Sequence, residues 1–197
     1  MGKTRTLANT VSAGGALDGG LAGANLIQTH TISGVATYDI ENFSSTYDDY
    51  IIVVSSYAPS TPVPLGARFK VGGSYLSTGN YRQHCTKLSS AAATYTGVAS
   101  AVLTYIRIAA DVACFQASPN GNHHFTINAF NVNDTARYPN IFWQGACADS
   151  GAFYQVNGAS EVTTTGALQG IRLMVGDGTS GTFNGVARVY GLKKALP

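Results

Sequence analysis

From residue 26 onward, no window keeps apolar side chains at the i, i+3, i+4, i+7 spacing of an amphipathic helix, and Gly, Pro, Asn, Asp and Ser interrupt the chain every few residues. The segments between these breaks are short, β-branched and aromatic, the pattern of antiparallel strands in a sandwich or barrel. An alanine-rich stretch at residues 90–105 comes nearest to a helix, but its threonines and glycine favour a loop and a strand. The 197 residues suffice for one such domain with a sizeable core.

Nine or ten strands are expected. Residues 26–33 and 35–43 form the first two, turning at Gly34. The apolar run at residues 50–54 has the composition of a central strand covered on both faces, ended by Pro59, Pro62 and Pro64. Gly72-Gly73 marks a hairpin turn between residues 67–71 and 74–76. Further strands fall at 80–88, 94–109, 141–145 and 151–155. At residues 124–132, Phe125, Ile127 and Ala129 alternate against His124, Thr126 and Asn128. Strands at 171–175 and 182–192 flank the loop Gly176-Asp177-Gly178-Thr179-Ser180-Gly181, which no Lys and no helix follow, so it is expected to be a hairpin loop and not a phosphate cradle.

Residues 1–25 are different. Six glycines (Gly2, Gly14, Gly15, Gly19, Gly20, Gly23) and few large side chains cannot bury enough surface to fold alone. This segment is an arm and residues 26–197 are the domain. It is either a solvated tail or a strap that orders against a neighbouring subunit; the recurrence of Leu7, Val11, Leu17 and Leu21 favours docking.

Charged residues are only 11% of the chain and the net charge is +2, so the surface is polar but nearly uncharged. Such a surface suits a crowded assembly or contact with sugars. It argues against nucleic acid as the main partner, which needs clustered Lys and Arg. No stretch has the apolar length of a membrane span, and the N-terminus lacks the apolar core of a signal peptide. Cys85, Cys114 and Cys147 are odd in number and widely spaced, the pattern of buried thiols made in a reducing cytosol.

Catalytic constellations are missing. Adjacent residues on a strand face opposite ways, so His123 and His124 cannot form a cupin-like metal pair with His84 or Asp111. There is no Gly-x-Ser-x-Gly elbow, no Ser-x-x-Lys, and few carboxylates for a glycosidase pair. Neither enzymatic activity nor a cofactor or metal is expected. Eleven tyrosines against one tryptophan favour rings that bury one face and keep a hydroxyl wet. Tyr75, Tyr81, Tyr95, Tyr138 and Tyr154 lie in or beside expected loops, where they either stack on sugars or fill loop packing and subunit interfaces.

The segment Leu7-Ala8-Asn9-Thr10-Val11-Ser12-Ala13-Gly14-Gly15-Ala16-Leu17-Asp18-Gly19 resembles the N-terminal segments of tailed-bacteriophage virion proteins. Phe43-Ser44-Ser45-Thr46-Tyr47-Asp48-Asp49-Tyr50-Ile51-Ile52-Val53 is similar to a strand opening in phage fibre-tip and decoration-like jelly rolls, and Val186-Ala187-Arg188-Val189-Tyr190-Gly191-Leu192-Lys193 to their closing strand. The resemblance covers about a fifth of the chain. It implies an antiparallel β-sandwich of jelly-roll type, commonly a homotrimer, made in the host cytoplasm and carried in the virion. The arm would attach to other virion proteins and the domain would be exposed, with host surface glycan a possible ligand. The absence of a long triple-stranded shaft points to a short tail fibre or tail component; a capsid decoration protein is the alternative, and a stand-alone carbohydrate-binding module a more distant one.

Overall fold

The computed structural model describes residues 24–41, 43–91, 95–109, 115–117, 122–149 and 151–193. Leu7, Val11, Leu17, Leu21, Asp111 and Cys114 lie outside the described residues. Among those described there are thirteen strands, more than expected, and no helix: β1 Ala24–Val35, β2 Thr37–Glu41, β3 Asp49–Pro59, β4 Leu65–Val71, β5 Ser74–Tyr75, β6 Tyr81–Ser89, β7 Tyr95–Leu103, β8 Ile106–Arg107, β9 His123–Phe130, β10 Asn140–Ala148, β11 Phe153–Val162, β12 Leu168–Val175 and β13 Phe183–Leu192. β1 starts two residues before the expected boundary, since Ala24 and Asn25 already pair with Leu192 and Gly191.

The strands form two antiparallel sheets packed as a β-sandwich. The larger runs β1-β13-β3-β9-β10-β11-β6-β7, and the smaller β2-β12-β4-β5 with β8 also on β4. Pairing is nested: β1 pairs with β13, β2 with β12, β3 with β9 and β4 with β8. Successive strands of this nest alternate between sheets in pairs. The loop at residues 176–181 therefore crosses from the smaller sheet to the larger and is not the expected hairpin loop. Turn chemistry alone does not distinguish the two, because either loop reverses the chain. Gly72-Gly73 does close a hairpin, with both residues at the positive φ (58° and 85°) that such a turn demands.

Alternation decides which side chains form the core. In β9, Phe125, Ile127 and Ala129 face inward, as expected, and in β13 Phe183, Ala187 and Val189 do. The run at residues 50–54 is central in the larger sheet but covered on one face only: Tyr50, Ile52 and Val54 are buried, while Ile51 and Val53 lie half-buried on the outside. A bulge then shifts the phase. Ser56 sits at φ +55° and the register slips between Val54 and Tyr57, so that Tyr57 and not Ser56 enters the core. There it meets Phe115, Phe125 and Phe183 at ring separations of 5.4–6.2 Å.

Three buried tyrosines each satisfy backbone groups near a crossing between the sheets. The Tyr50 hydroxyl accepts from Ser44 N–H at 2.5 Å and donates to Ser44 C=O at 3.0 Å. Tyr57 donates to Val63 C=O at 3.1 Å. Tyr81 accepts from Phe69 N–H at 2.8 Å and donates to Leu76 C=O at 3.3 Å. The phenol supplies both apolar area for the core and the polar tip that a buried loop needs.

Tyr81→Phe retains the ring and leaves the buried Phe69 N–H unpaired, which costs about 1–3 kcal/mol. The expected result is a lower urea midpoint with an unchanged slope.

Candidate functional site

The outer face of the larger sheet carries the exposed amides of Gln144 and Asn157, the half-buried amide of Asn128 and the exposed ring of Phe142. Its strands pair directly, so the sequence places Asn128, Phe142, Ala159, His84 and Ala99 side by side from β9 to β7. The next row holds Val53, Thr126, Gln144, Asn157 and Thr86. Because Ala99, Ala146 and Ala159 are small, the surface sinks between the larger side chains.

Three open depressions result, of about 560, 440 and 340 Å³. The first and second share His84 and Ala159, and the second and third share Gln144, so together they form one shallow trough across the strands. Phe142 stands in it 49% exposed, its ring held edge-to-face by Phe130 at 5.8 Å. Thr86 donates its hydroxyl proton to Asn157 Oδ1 at 2.6 Å, which fixes that amide and leaves its NH₂ as a donor. Among the described residues the one ion pair bordering the trough is Arg82–Glu161 at 3.1 Å, at its outer end. The rest of the lining combines amide, hydroxyl, imidazole and aromatic side chains with small and aliphatic ones.

The outer face of the smaller sheet is the opposite in character. Arg172 makes a bidentate pair with Asp39 at 2.6 and 2.8 Å and lies 4.2 Å over the Tyr75 ring. Lys70 pairs with Glu41 at 2.7 Å, and the Tyr75 hydroxyl donates to the same carboxylate at 3.4 Å. Burial and the neighbouring Asp39 and Glu41 carboxylates raise the Tyr75 pKa above the ordinary phenol range, while the Asp39 contact stabilises the Arg172 cation. These charges satisfy one another and tie β2, β12, β4 and β5 together.

The tyrosines singled out by sequence do not converge. Tyr75 belongs to the charged cluster on the smaller sheet. Tyr81 lies wholly inside the sandwich, contrary to its expected loop position, because it starts β6 on the inward phase. Tyr154 is also buried on an inward phase, and its hydroxyl donates to Asp149 Oδ2 at 2.8 Å. It pairs with Ser89 at the far end of β6 from Tyr81, roughly 26 Å away along the strand. Tyr138 is exposed in the β9–β10 loop. Tyr95 lies on β7, with its side chain outside the described residues. Sequence placed Phe142, Asn128 and Gln144 on strands without singling them out as site residues, and the alternation of β9 and β10 was the signal that could have done so.

His123 and His124 face opposite sides of the sheet, the first buried and the second exposed. His123 accepts from Ala148 N–H at Nδ1 (3.3 Å) and donates from Nε2 to Gln116 C=O (3.1 Å), so both nitrogens serve the fold. His30 is buried too, with Nδ1 3.2 Å from the Tyr38 hydroxyl. Among the described residues no three His, Cys, Asp or Glu side chains gather as a metal site requires. Cys85 and Cys147 are buried. Among the same residues no helix is long and apolar enough to cross a membrane.

Burial holds the His30 and His123 imidazoles below the usual histidine pKa. The unfolded chain therefore binds protons first as pH falls through about 6.5, and the stability present above that value is lost progressively below it. Acidification from about pH 7 to pH 5 is expected to lower the urea midpoint before the carboxylates titrate. His123→Gln should make that dependence shallower.

Set against family models, characterised proteins and solved structures, the chain matches none of them.

Proposed function

We propose that the chain is a structural protein of a tailed-bacteriophage particle, a short tail fibre or tail component that docks through its N-terminal arm, exposes its sandwich and has no catalytic role. The observation that carries this reading is the nested pairing of β1–β13, β2–β12, β3–β9 and β4–β8, which supports a jelly-roll winding of the sandwich. In this reading β5–β7 and β10–β11 are insertions, four of whose strands widen the larger sheet beyond β9.

The start of the described chain supports the docking half. Among the described residues β1 is an edge strand, paired only with β13, and its first residue follows the expected arm. Leu26 and Ile27, at 56% and 42% exposure, place apolar side chains where the arm joins the sheet. An edge strand with exposed apolar residues favours pairing with another chain, and the reading assigns it to contacts with copies in a homotrimer or with a neighbouring virion protein.

Removing residues 1–23 leaves the β1–β13 pairing intact and tests the attachment. The expected outcome is a folded protein of unchanged melting temperature that is missing from assembled particles. Full occupancy without the arm overturns the reading. Copy number from quantitative gel bands then separates positions: roughly a few tens or fewer per particle places the protein in the tail, whereas hundreds place it on the capsid as a decoration protein.

A further inference from the structure

We infer that the trough across the outer face of the larger sheet is a binding site for a neutral oligosaccharide, with Phe142 as the ring on which a sugar stacks and the amides of Asn128, Gln144 and Asn157 as its hydrogen-bonding partners.

The chemistry of the lining selects this ligand class. Sugars offer hydroxyl groups that both donate and accept, and a side-chain amide presents both functions at fixed geometry. Asn128 and Gln144 stand on neighbouring strands beside Phe142, and Asn157 is oriented by Thr86. A pyranose also has an apolar face, and an exposed phenyl ring held edge-on by Phe130 gives that face a rigid platform at little entropic cost.

Charge separates this face from its alternatives. The Asp39, Glu41, Lys70 and Arg172 cluster is on the other sheet, and the trough's one ion pair is internally satisfied. A nucleic acid or a sulfated glycan would need clustered cations, whereas among the described residues lining the trough the one Lys or Arg is Arg82, paired with Glu161. A second copy of the chain would bury an apolar centre, whereas Phe142 here is ringed by amides and small residues. The dimensions also fit a chain molecule. Depressions that connect from β7 to β3 cross five strand spacings, about 24 Å, enough for several sugar rings in line.

The inference rests on the proposed particle role only for the place where such a sugar is met, a host surface. Binding itself is a property of the isolated chain, so the two can fail separately: an arm deletion that changes particle occupancy leaves sugar binding untouched, and the reverse holds for trough variants.

The test titrates the purified full chain with neutral hexasaccharides of glucose, galactose, mannose and rhamnose, and with a heparin hexasaccharide, using calorimetry and saturation-transfer NMR. At least one neutral hexasaccharide should bind, with an affinity insensitive to salt and at least about tenfold weaker in Phe142→Ala. Gln144→Ala should weaken binding at unchanged melting temperature and decides the matter if Phe142→Ala folds poorly. No binding of any neutral hexasaccharide at about 10 mM overturns the site. So does affinity unchanged in Gln144→Ala, binding of heparin alone, or a change of oligomeric mass in Phe142→Ala, which would make this face a contact between copies.

Discussion

An eight-stranded sheet facing a five-stranded one leaves inner surface that strands alone cannot cover, and much of the molecule follows from closing that gap. Water must be kept from the inward side chains of β3, β9, β10, β11 and β6, because apolar burial is the main favourable term in folding. Part of the cover comes from the chain between β8 and β9. Ile108, Ala109 and Phe115 are buried there, Phe115 packs 5.0 Å from the His123 ring, and Gln116 N–H donates to Ala148 C=O. Further along, Gln83 on β6 closes a reciprocal pair with the Arg107 backbone on β8, donating at 2.8 Å and accepting at 2.8 Å, which joins the two sheets where the smaller one runs out.

The same requirement explains why buried tyrosines and histidines are structural here. Each crossing between sheets brings backbone polar groups to the edge of the core, where water is excluded and a partner is obligatory. Tyr50, Tyr57, Tyr81 and His123 provide those partners from residues that also contribute apolar area. The functional potential is thereby pushed outward, to the solvent side of the widened sheet, where polar side chains have no structural debt to meet. Asn128 and Gln144 have no such duty, and Phe142 is exposed despite the hydrophobic cost. The cluster of Asp39, Glu41, Lys70 and Arg172 lies on the smaller sheet, and the exposed amides of Gln144 and Asn157 lie on the larger.

Tyr75 and Tyr81 show where sequence reasoning reaches its limit. Both sit beside glycine-rich turns and both were expected at loops, yet one stacks under Arg172 at the surface and the other is sealed in the core. The difference is strand phase, which a single bulge reverses, as at Ser55-Ser56 where it carries Tyr57 inward. The trough was invisible for a related reason. Its residues come from β3, β9, β10, β11, β6 and β7, spread over about half the chain, and only the pairing register sets them side by side.

Sequence alone determined the local chemistry: extended segments, a sparsely charged surface, the inward face of β9, and the hairpin at Gly72-Gly73, whose positive φ angles glycine adopts without strain. These are consequences of neighbours within a few residues. The tertiary structure decided which turns stay within a sheet and which cross, where phase reverses, and which exposed side chains share a surface. Such properties depend on strands separated by scores of residues meeting in one register, and the free energy that selects that register comes from the burial of the whole core.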